Sequence, residues 1–192
     1  LYALRYAEKQ DQTGIVRFLL SEAGKAKGTI NTPNRADDRP INKAIETNNK
    51  DLVESLISNG ANLGYDNLSE LPLNHALTLD ADDEIIRLII EGMKSQHIDF
   101  NTNGHGFFTP LLTAVYKNKI DFIEPLIQAG ADINDPVTVG NELEIIATSF
   151  AGIRRENSTI REYTPLNLAI STIGREKVAI KLIQLGADIE AK

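Results

Sequence analysis

Three histidines and several nearby carboxylates are the residues of this 192-residue sequence that come nearest to a metal site. His97 and His105 lie in one segment with Asp99 between them, and imidazole and carboxylate groups are both zinc ligands. No further ligand is spaced beside them on a helix, as a complete coordination set would need. We therefore expect no bound metal. His75 is expected to be a packed or surface residue of a helix.

Two short segments and an arginine pair resemble ligand-binding loops only in part. The acidic run "DADDE" (Asp80–Glu84) lacks the sixth-position glycine and the terminal glutamate of a calcium loop. It is expected to form the acidic first turn of a helix, which the helix dipole favours. The segment "TNGHGFF" (Thr102–Phe108) lacks the strand–glycine–helix context of a phosphate-binding loop. Arg154 and Arg155 could bind a phosphate or a carboxylate, although a solvated loop is the more common role of such a pair.

The residues needed for covalent catalysis are sparse. The chain contains no cysteine, which excludes a thiolate nucleophile, a disulfide and a thiolate zinc site. The spacing does not suggest a Ser–His–Asp arrangement, although sequence order alone does not exclude one. We therefore expect a chain that is not an enzyme and that needs no cofactor.

The charge and hydropathy of the chain restrict its partners. The formal net charge is −7 and the pI is about 5.0, whereas binding to a nucleic-acid backbone requires clustered lysine and arginine. The longest apolar run, Ile85–Ile90, is interrupted by Arg87 and is too short to span a bilayer. We expect neither nucleic-acid binding nor membrane insertion. Because the chain starts at Leu1 without a signal-peptide pattern, we interpret it as a fragment of a longer protein.

A repeated pattern defines the elements that carry these side chains. Four prolines each open an apolar stretch that contains an alanine four residues later: Pro40, Pro72, Pro110 and Pro165, with Ala44, Ala76, Ala114 and Ala169. After a short polar turn, a second stretch such as "LVESLI" or "FIEPLI" places apolar residues on one stripe of a helix. The spacing of 72 − 40 = 32 residues is close to a repeat period of about 33. The pattern therefore predicts consecutive αα-hairpins.

Residues at the ends of the predicted helices support this assignment. Thr109 and Thr164 precede prolines, so that a hydroxyl caps the helix and proline takes its first position. Glycines that suit a left-handed C-terminal position follow the second helices: Gly60, Gly130 and Gly186. Arg39 and Leu71 stand where the capping threonine is expected. Pro125 lies inside a second helix, where it should remove one hydrogen bond and could introduce a kink.

The segments "TPLLTAVYKNKIDFIEPLIQAGADIN" and "TPLNLAISTIGREKVAIKLIQLGADIE" resemble ankyrin repeats. The resemblance implies an all-α solenoid of about five helix-turn-helix repeats with inter-repeat hairpin loops. It covers residues 1–192 as one domain, with repeats at about 1–33, 34–65, 66–103, 104–158 and 159–192. Ala7 takes the fixed alanine position in the first repeat. The sequence departs from the family pattern where Asn42 and Asn74 replace the usual histidine.

A long insertion at residues 135–163 interrupts the fourth repeat. Within it Leu143, Ile146, Ala147 and Phe150 are spaced as on one helix face, so we expect a short helix followed by a polar loop. Insertions in repeat proteins often map to the binding face. A tolerated surface insertion remains the alternative, because lengthening a loop costs little free energy.

The resemblance implies a protein–protein interaction module, or scaffold, that binds its partner through a concave groove and the hairpin tips. The candidate partner-binding positions are acidic in the early repeats and aromatic in the late ones, so we expect a partner with a basic or aromatic-binding surface. We expect the free chain to be a monomer. Tyr116 and Tyr163 are expected to be exposed anchors, and one of Phe107 and Phe108 to fold back. The carried-over positions are Asp38, Glu46, Thr47, Glu70, Thr78, Leu79, Phe108, Tyr116, Lys117, Arg154, Arg155, Tyr163 and Ser171.

The resemblance also permits a second function. The chain could be the substrate-targeting domain of a larger multidomain protein, such as a secreted bacterial effector enzyme whose catalytic domain lies outside this sequence. Either function places the protein in the cytoplasm, which would be the host cytoplasm for an effector.

Overall fold

The computed structural model describes residues 6–7, 10, 12–15, 30–31, 39–64, 71–102, 108–139 and 161–190. The chain divides into two compact units, an N-terminal unit, Leu1–Ile98, and a C-terminal unit, Asp99–Lys192. The N-terminal unit contains helices α1 (Pro40–Glu46), α2 (Lys50–Ser58), α3 (Pro72–Thr78) and α4 (Asp83–Ser95). Residues 6–7 and 13–15 are also helical.

The C-terminal unit has the same plan with one addition. It contains α5 (Pro110–Tyr116), α6 (Ile120–Gln128), β1 (Val137–Val139), β2 (Arg161–Tyr163), α7 (Pro165–Ser171) and α8 (Glu176–Gln184). The two strands pair antiparallel, with Val137 opposite Tyr163 and Val139 opposite Arg161. The ends of the predicted insertion are therefore joined by a short ladder. The helix predicted around Leu143–Phe150 lies outside the described residues.

Within each unit the hairpins stack in two layers. In the N-terminal unit α1 packs on α3 and α2 packs on α4, and in the C-terminal unit α5 packs on α7 and α6 packs on α8. The small side chain at the fixed alanine position allows this close approach, and all the alanines predicted there are buried: Ala7, Ala44, Ala76, Ala114 and Ala169. The prediction of an all-α helix-turn-helix array is confirmed.

The predicted helix ends are also confirmed where the signals were specific. Thr109 and Thr164 accept hydrogen bonds from the backbone N–H groups of Leu112 and Asn167. Gly60, Gly130 and Gly186 have φ angles of 91°, 111° and 95°, the left-handed region in which glycine is not strained. Pro125 does not end α6, which runs without interruption from Ile120 to Gln128.

The α1–α2, α3–α4, α5–α6 and α7–α8 turns each contain a left-handed residue that the sequence pattern did not predict. Asn48, Asp80 and Asn118 have φ angles of 53°, 61° and 60°, and Gly174 takes the same place at 80°. Asparagine and aspartate tolerate this region better than other residues with a side chain. The Asn48 Oδ1 atom also accepts a hydrogen bond of 2.9 Å from the Asp82 N–H group, which ties together the two turns of the N-terminal unit.

Arg39 and Leu71 occupy the N-cap positions of α1 and α3 without a side-chain capping bond. Both are buried, with exposed fractions of 1% and 0%. The Arg39 guanidinium donates through Nη1 to the carbonyls of Asn62 and Gly64, at 3.4 and 3.3 Å. These side chains therefore stabilise the helix starts by being buried rather than by a capping hydrogen bond. Arg39 also binds the segment that follows α2.

Asparagine side chains connect the segments that follow consecutive hairpins. Asn101 donates through Nδ2 to the Gly130 carbonyl at 3.2 Å and accepts through Oδ1 from the Asp132 N–H group at 2.7 Å. Asn31 binds the Gly60 carbonyl and the Asn62 N–H group in the same way. These bonds satisfy backbone groups that no helix or strand pairs.

Gly64 occupies the place where the second repeat would carry this asparagine. There Gln96 from α4's C-terminal end reaches back, donating to the Ala61 carbonyl at 2.8 Å and accepting from the Leu63 N–H group at 3.1 Å. The longer Gln96 side chain therefore connects the two segments in place of the missing asparagine. It does so from the later segment back to the earlier one.

These amide contacts predict a difference between two asparagine-to-aspartate variants. Asn101→Asp keeps an acceptor, loses the donor to Gly130 and adds a charge near Asp99 and Asp132, so we expect a loss of about 1–2 kcal/mol in unfolding free energy. Asn134 contributes an acceptor to the Asp188 N–H group, which Asn134→Asp retains. Asn134→Asp also adds a charge, near Asp132 and Asp188, so we expect it to cost about 0.5 kcal/mol, less than Asn101→Asp, which also loses a donor. Urea denaturation of both variants measures the difference, and equal losses would contradict the assigned roles.

Candidate functional site

A cluster of aromatic and cationic side chains combines Phe108, which precedes α5, with Tyr116 and Lys117 at the C-terminal end of α5. The rings of Phe108 and Tyr116 are 5.7 Å apart at their centroids and tilted by 47°, within the range of favourable aromatic pairs. The Lys117 Nζ atom lies 5.9 Å from the Tyr116 ring centroid, a distance at which a cation still interacts with the ring face. The cluster thus combines apolar surface with positive charge.

Arg175, at the start of α8, fixes the position of this cluster. Its guanidinium donates from Nε and Nη2 to the Tyr116 carbonyl, at 3.1 and 2.6 Å. The carbonyl is one of the last of α5 and has no partner within the helix, and a cation is favoured at a helix C-terminus. Arg175 therefore both caps α5 and brings a second positive charge beside Tyr116.

The expectation that Tyr116 is exposed is only partly correct. Its side chain is half-buried, because its ring packs against Phe108. Phe108 is half-buried as well, whereas Phe107 lies outside the described residues, so the expectation that one of the two folds back stays a prediction. Burial raises the pKa of the Tyr116 phenol, and the positive charge of Arg175 opposes that rise. The phenol stays neutral at physiological pH and can donate a hydrogen bond to a partner.

Four of the predicted positions in the N-terminal unit lie among the described residues, and all four are exposed. They comprise Glu46, Thr47, Thr78 and Leu79, and Leu79 is 48% exposed. Glu46 is engaged within the unit, since its carboxylate lies 2.5 Å from the Lys43 Nζ atom and 3.6 Å from His75 Nε2. Its charge is thus partly balanced before any partner arrives.

The remaining predicted positions differ in what the structure describes. Ser171 is exposed, and its hydroxyl donates to the Leu168 carbonyl at 3.2 Å. Tyr163 lies in β2 opposite Val137, and only its backbone is described. Asp38, Glu70, Arg154 and Arg155 lie outside the described residues. The structure therefore places Phe108, Tyr116 and Lys117 together and leaves those four residues without a position.

The histidine and acidic segments have structural roles where they are described. His97 has a φ angle of 54° and takes the place at the end of α4 that glycine takes after the other second helices. Asp82 is the N-cap of α4, and Asp83 and Glu84 lie in its first turn, as the dipole argument predicted. Among the described residues no group of three or more histidine, aspartate or glutamate side chains could hold a metal ion. His105 lies outside that set.

Three carboxylates approach one another where the chain leaves the α5–α6 hairpin. Partial burial raises the pKa of Asp135, and the negative charges of Asp132 and Asp99 raise it further. A carboxyl whose pKa is higher in the folded state than in the unfolded state lowers stability once both states are ionised. The penalty therefore appears as the pH rises through the unfolded-state pKa, and acid removes it.

Helices α6 and α8 of the C-terminal unit form a surface groove of about 430 Å³. It is lined by Ile120, Asp121, Glu124, Pro125, Gln128 and Lys181. An ion pair of 2.6 Å between Lys181 and Glu124 joins α8 to α6 across it. None of the predicted site residues lines this groove. The sequence analysis missed Lys181 and Arg175, which lie far along the chain from their partners.

In the part of the chain that the structure describes, no helix has the length and apolar composition needed to cross a membrane. A family model described as "Ankyrin repeats (3 copies)" matches residues 41–137, about half of the chain. The chain is similar to alpha-latrocrustotoxin-Lt1a from Latrodectus tredecimguttatus, with 34% identity over 68% of this chain and 9% of that protein. It is also similar to the nuclear factor NF-kappa-B p105 subunit from Gallus gallus, with 28% identity over 55% of this chain and 11% of that protein.

The chain thus spans about a tenth of the length of these relatives. The matched region begins in α1 and ends at the first residue of β1. It contains helices α1 to α6, the buried Ala44, Ala76 and Ala114, and the Phe108–Tyr116 cluster. With the family match and the observed helix-turn-helix stacking, the chain belongs to the ankyrin repeat family of protein-interaction modules.

Proposed function

We propose that the chain binds a protein partner through the C-terminal ends of the first helices of its hairpins and through the loops that precede these helices. The observation that carries this proposal is the cluster of Phe108, Tyr116 and Lys117 at the end of α5. Aromatic residues dominate the energetics of protein interfaces, particularly when a partner completes their burial. A half-buried tyrosine fits this role, since its ring is already oriented and loses little conformational freedom on binding.

The predicted groove and hairpin tips are the surface on which this cluster would act. In the N-terminal unit, the exposed residues Thr47, Thr78 and Leu79 would supply contacts of their own, and in the C-terminal unit Ser171 would do so at the end of α7. Glu46 is a weaker candidate, because Lys43 and His75 already lie beside its carboxylate. A monomer remains our expectation for the free chain.

Removal of the tyrosine ring tests the proposal. Once a partner has been identified by co-purification and mass spectrometry, Tyr116→Ala with Tyr163→Ala is expected to weaken its affinity by about 2 kcal/mol or more. The backbone carbonyl that Arg175 binds is unchanged in Tyr116→Ala, so α5 keeps its cap. Ile189→Ala, which truncates a side chain that is 72% exposed, is the matched control. An affinity unchanged by the tyrosine substitutions in an isothermal titration would disprove the role of the cluster.

A second candidate is a substrate-targeting domain within a larger multidomain protein. The observation that favours it is the length of the relatives, of which the chain covers 9% and 11%. A catalytic domain elsewhere in such a protein would then act on whatever this surface binds. Sequencing the complete gene tests this candidate, and a reading frame without a second domain would exclude it.

A further inference from the structure

The helix-to-helix turns of the C-terminal unit form a surface that we call the basic turn edge. It comprises the α5–α6 turn and the α7–α8 turn with their flanking residues, and contains Tyr116, Lys117, Lys119, Ile173, Arg175 and Lys177. Four of these six side chains are cationic. Arg175 joins the two turns directly through its bonds to the Tyr116 carbonyl, so the two turns that carry these cations lie side by side.

This edge differs in charge from the rest of the chain. The whole chain carries a net charge of −7, and the corresponding turns of the N-terminal unit contain Asp51, Asp80, Asp82, Asp83 and Glu84. Their cation, Lys50, hydrogen-bonds to Glu84, which raises the pKa of Lys50. Within residues 116–121 and 172–177, which make up the basic turn edge, the carboxylates are Asp121 and Glu176, so four cations exceed two anions in this part of the sequence. A positive patch on an acidic chain attracts a negatively charged partner selectively.

Ile173 gives this edge an apolar centre that the fold does not require. Pro110 is eight residues before the left-handed Asn118, because 118 − 110 = 8, whereas Pro165 is nine residues before Gly174, because 174 − 165 = 9. The α7–α8 turn is therefore one residue longer, and the side chain of Ile173 is 90% exposed. A branched apolar side chain in that position contributes almost nothing to packing in the unit, but offers surface that a partner can bury.

We propose that the basic turn edge binds an acidic peptide segment of a partner protein, with an apolar side chain of that segment on Ile173. Its carboxylates would pair with Lys117, Lys177 and Arg175, whose guanidinium is already held in place by the Tyr116 carbonyl. This inference rests on the proposed function, because it names the chemistry of a partner. It departs from the expectation of a basic partner, which followed from the net charge of the whole chain.

The test uses the intact chain and three labelled probes in fluorescence anisotropy titrations. The first is a short synthetic peptide of glutamate and aspartate with one central leucine. The second is the same peptide with lysine at every acidic position, and the third is a single-stranded thymidine oligonucleotide. The acidic peptide is expected to bind at least about tenfold more tightly than the basic peptide. Its affinity should fall as salt is added, because exposed charges are screened.

Two variants locate the binding on the turn edge. Ile173→Ser and Lys177→Glu are each expected to weaken binding of the acidic peptide about five- to tenfold. Ile189→Ser and Lys94→Glu are the controls, since they make the same changes at exposed residues that do not belong to the basic turn edge. Circular dichroism melting curves verify that all four variants fold.

Each contrary outcome has a distinct meaning. Tighter binding of the basic peptide, or equal affinity of both peptides, overturns the proposal. Preferential binding of the oligonucleotide also overturns it, because the edge would then recognise phosphate. Acidic-peptide binding that Ile173→Ser leaves unchanged assigns the site elsewhere. None of these results affects the proposed function, which fails only if the Tyr116 and Tyr163 substitutions leave binding of the natural partner intact.

Discussion

Val115→Asn is expected to lower the unfolding free energy by about 3 kcal/mol, whereas Ile170→Asn should change it by less than about 0.5 kcal/mol. Both residues lie five positions after the proline that opens their helix. Val115 is 0% exposed because α7 packs on α5, while Ile170 is 67% exposed. The valine substitution removes buried apolar surface and places an amide where it has no designed partner.

The two variants control for each other. Both replace a β-branched residue with asparagine in a seven-residue helix, so their changes in helix propensity are similar and small. Urea denaturation followed by circular dichroism gives both free energies. Equal losses of unfolding free energy would show that the packing of Val115 between α5 and α7 contributes no more to stability than the exposed Ile170 does.

Arg39→Thr is expected to lower the unfolding free energy by about 2 kcal/mol, although threonine is the residue that caps α5 and α7. The substitution can restore a capping hydrogen bond worth about 1 kcal/mol. It removes the guanidinium that donates to the carbonyls of Asn62 and Gly64 and the buried aliphatic part of the arginine side chain. The losses exceed the gain because Arg39 is almost fully buried and its two hydrogen bonds are partly shielded from water, which therefore replaces them only incompletely.

Chemical denaturation of Arg39→Thr and Arg39→Lys measures this balance. The lysine variant keeps a positive charge, but its ammonium is more strongly hydrated than a guanidinium and costs more free energy to bury, so we expect an intermediate loss. A threonine variant as stable as the natural chain would mean that the capping hydrogen bond fully compensates for the lost guanidinium contacts. That result would contradict the role assigned to Arg39.

The helices were predictable because their signals are local. The prolines, the alanines four residues later and the glycine stops lie within a few residues of the elements that they define. Thr109 and Thr164 act as caps because a hydroxyl next to its helix needs no distant partner. His97 shows the limit of such reasoning, because the extra turn of α4 moved the left-handed position onto a histidine rather than a glycine.

The candidate site was predicted less completely because its contacts are not local. Tyr116 and Lys117 were predicted from their register within the repeat. The bond from Arg175 to Tyr116 joins residues 59 positions apart and depends on how α7 stacks on α5. The pairing of Glu124 with Lys181 depends in the same way on α6 and α8. A repeat pattern gives the side chains that each hairpin carries, but it does not give the contacts between hairpins.

The short ladder of β1 and β2 affects how the segment between the two strands can change in length and sequence. Because Val137 lies opposite Tyr163, the chain leaves the fourth repeat and returns to the stack at nearly the same point. Doubling the length of the intervening segment then costs only about 0.6 kcal/mol in closure entropy, and the α5–α7 stack does not have to move. New sequences can be exchanged at this position during evolution, or grafted there by design, without rebuilding the scaffold that presents them.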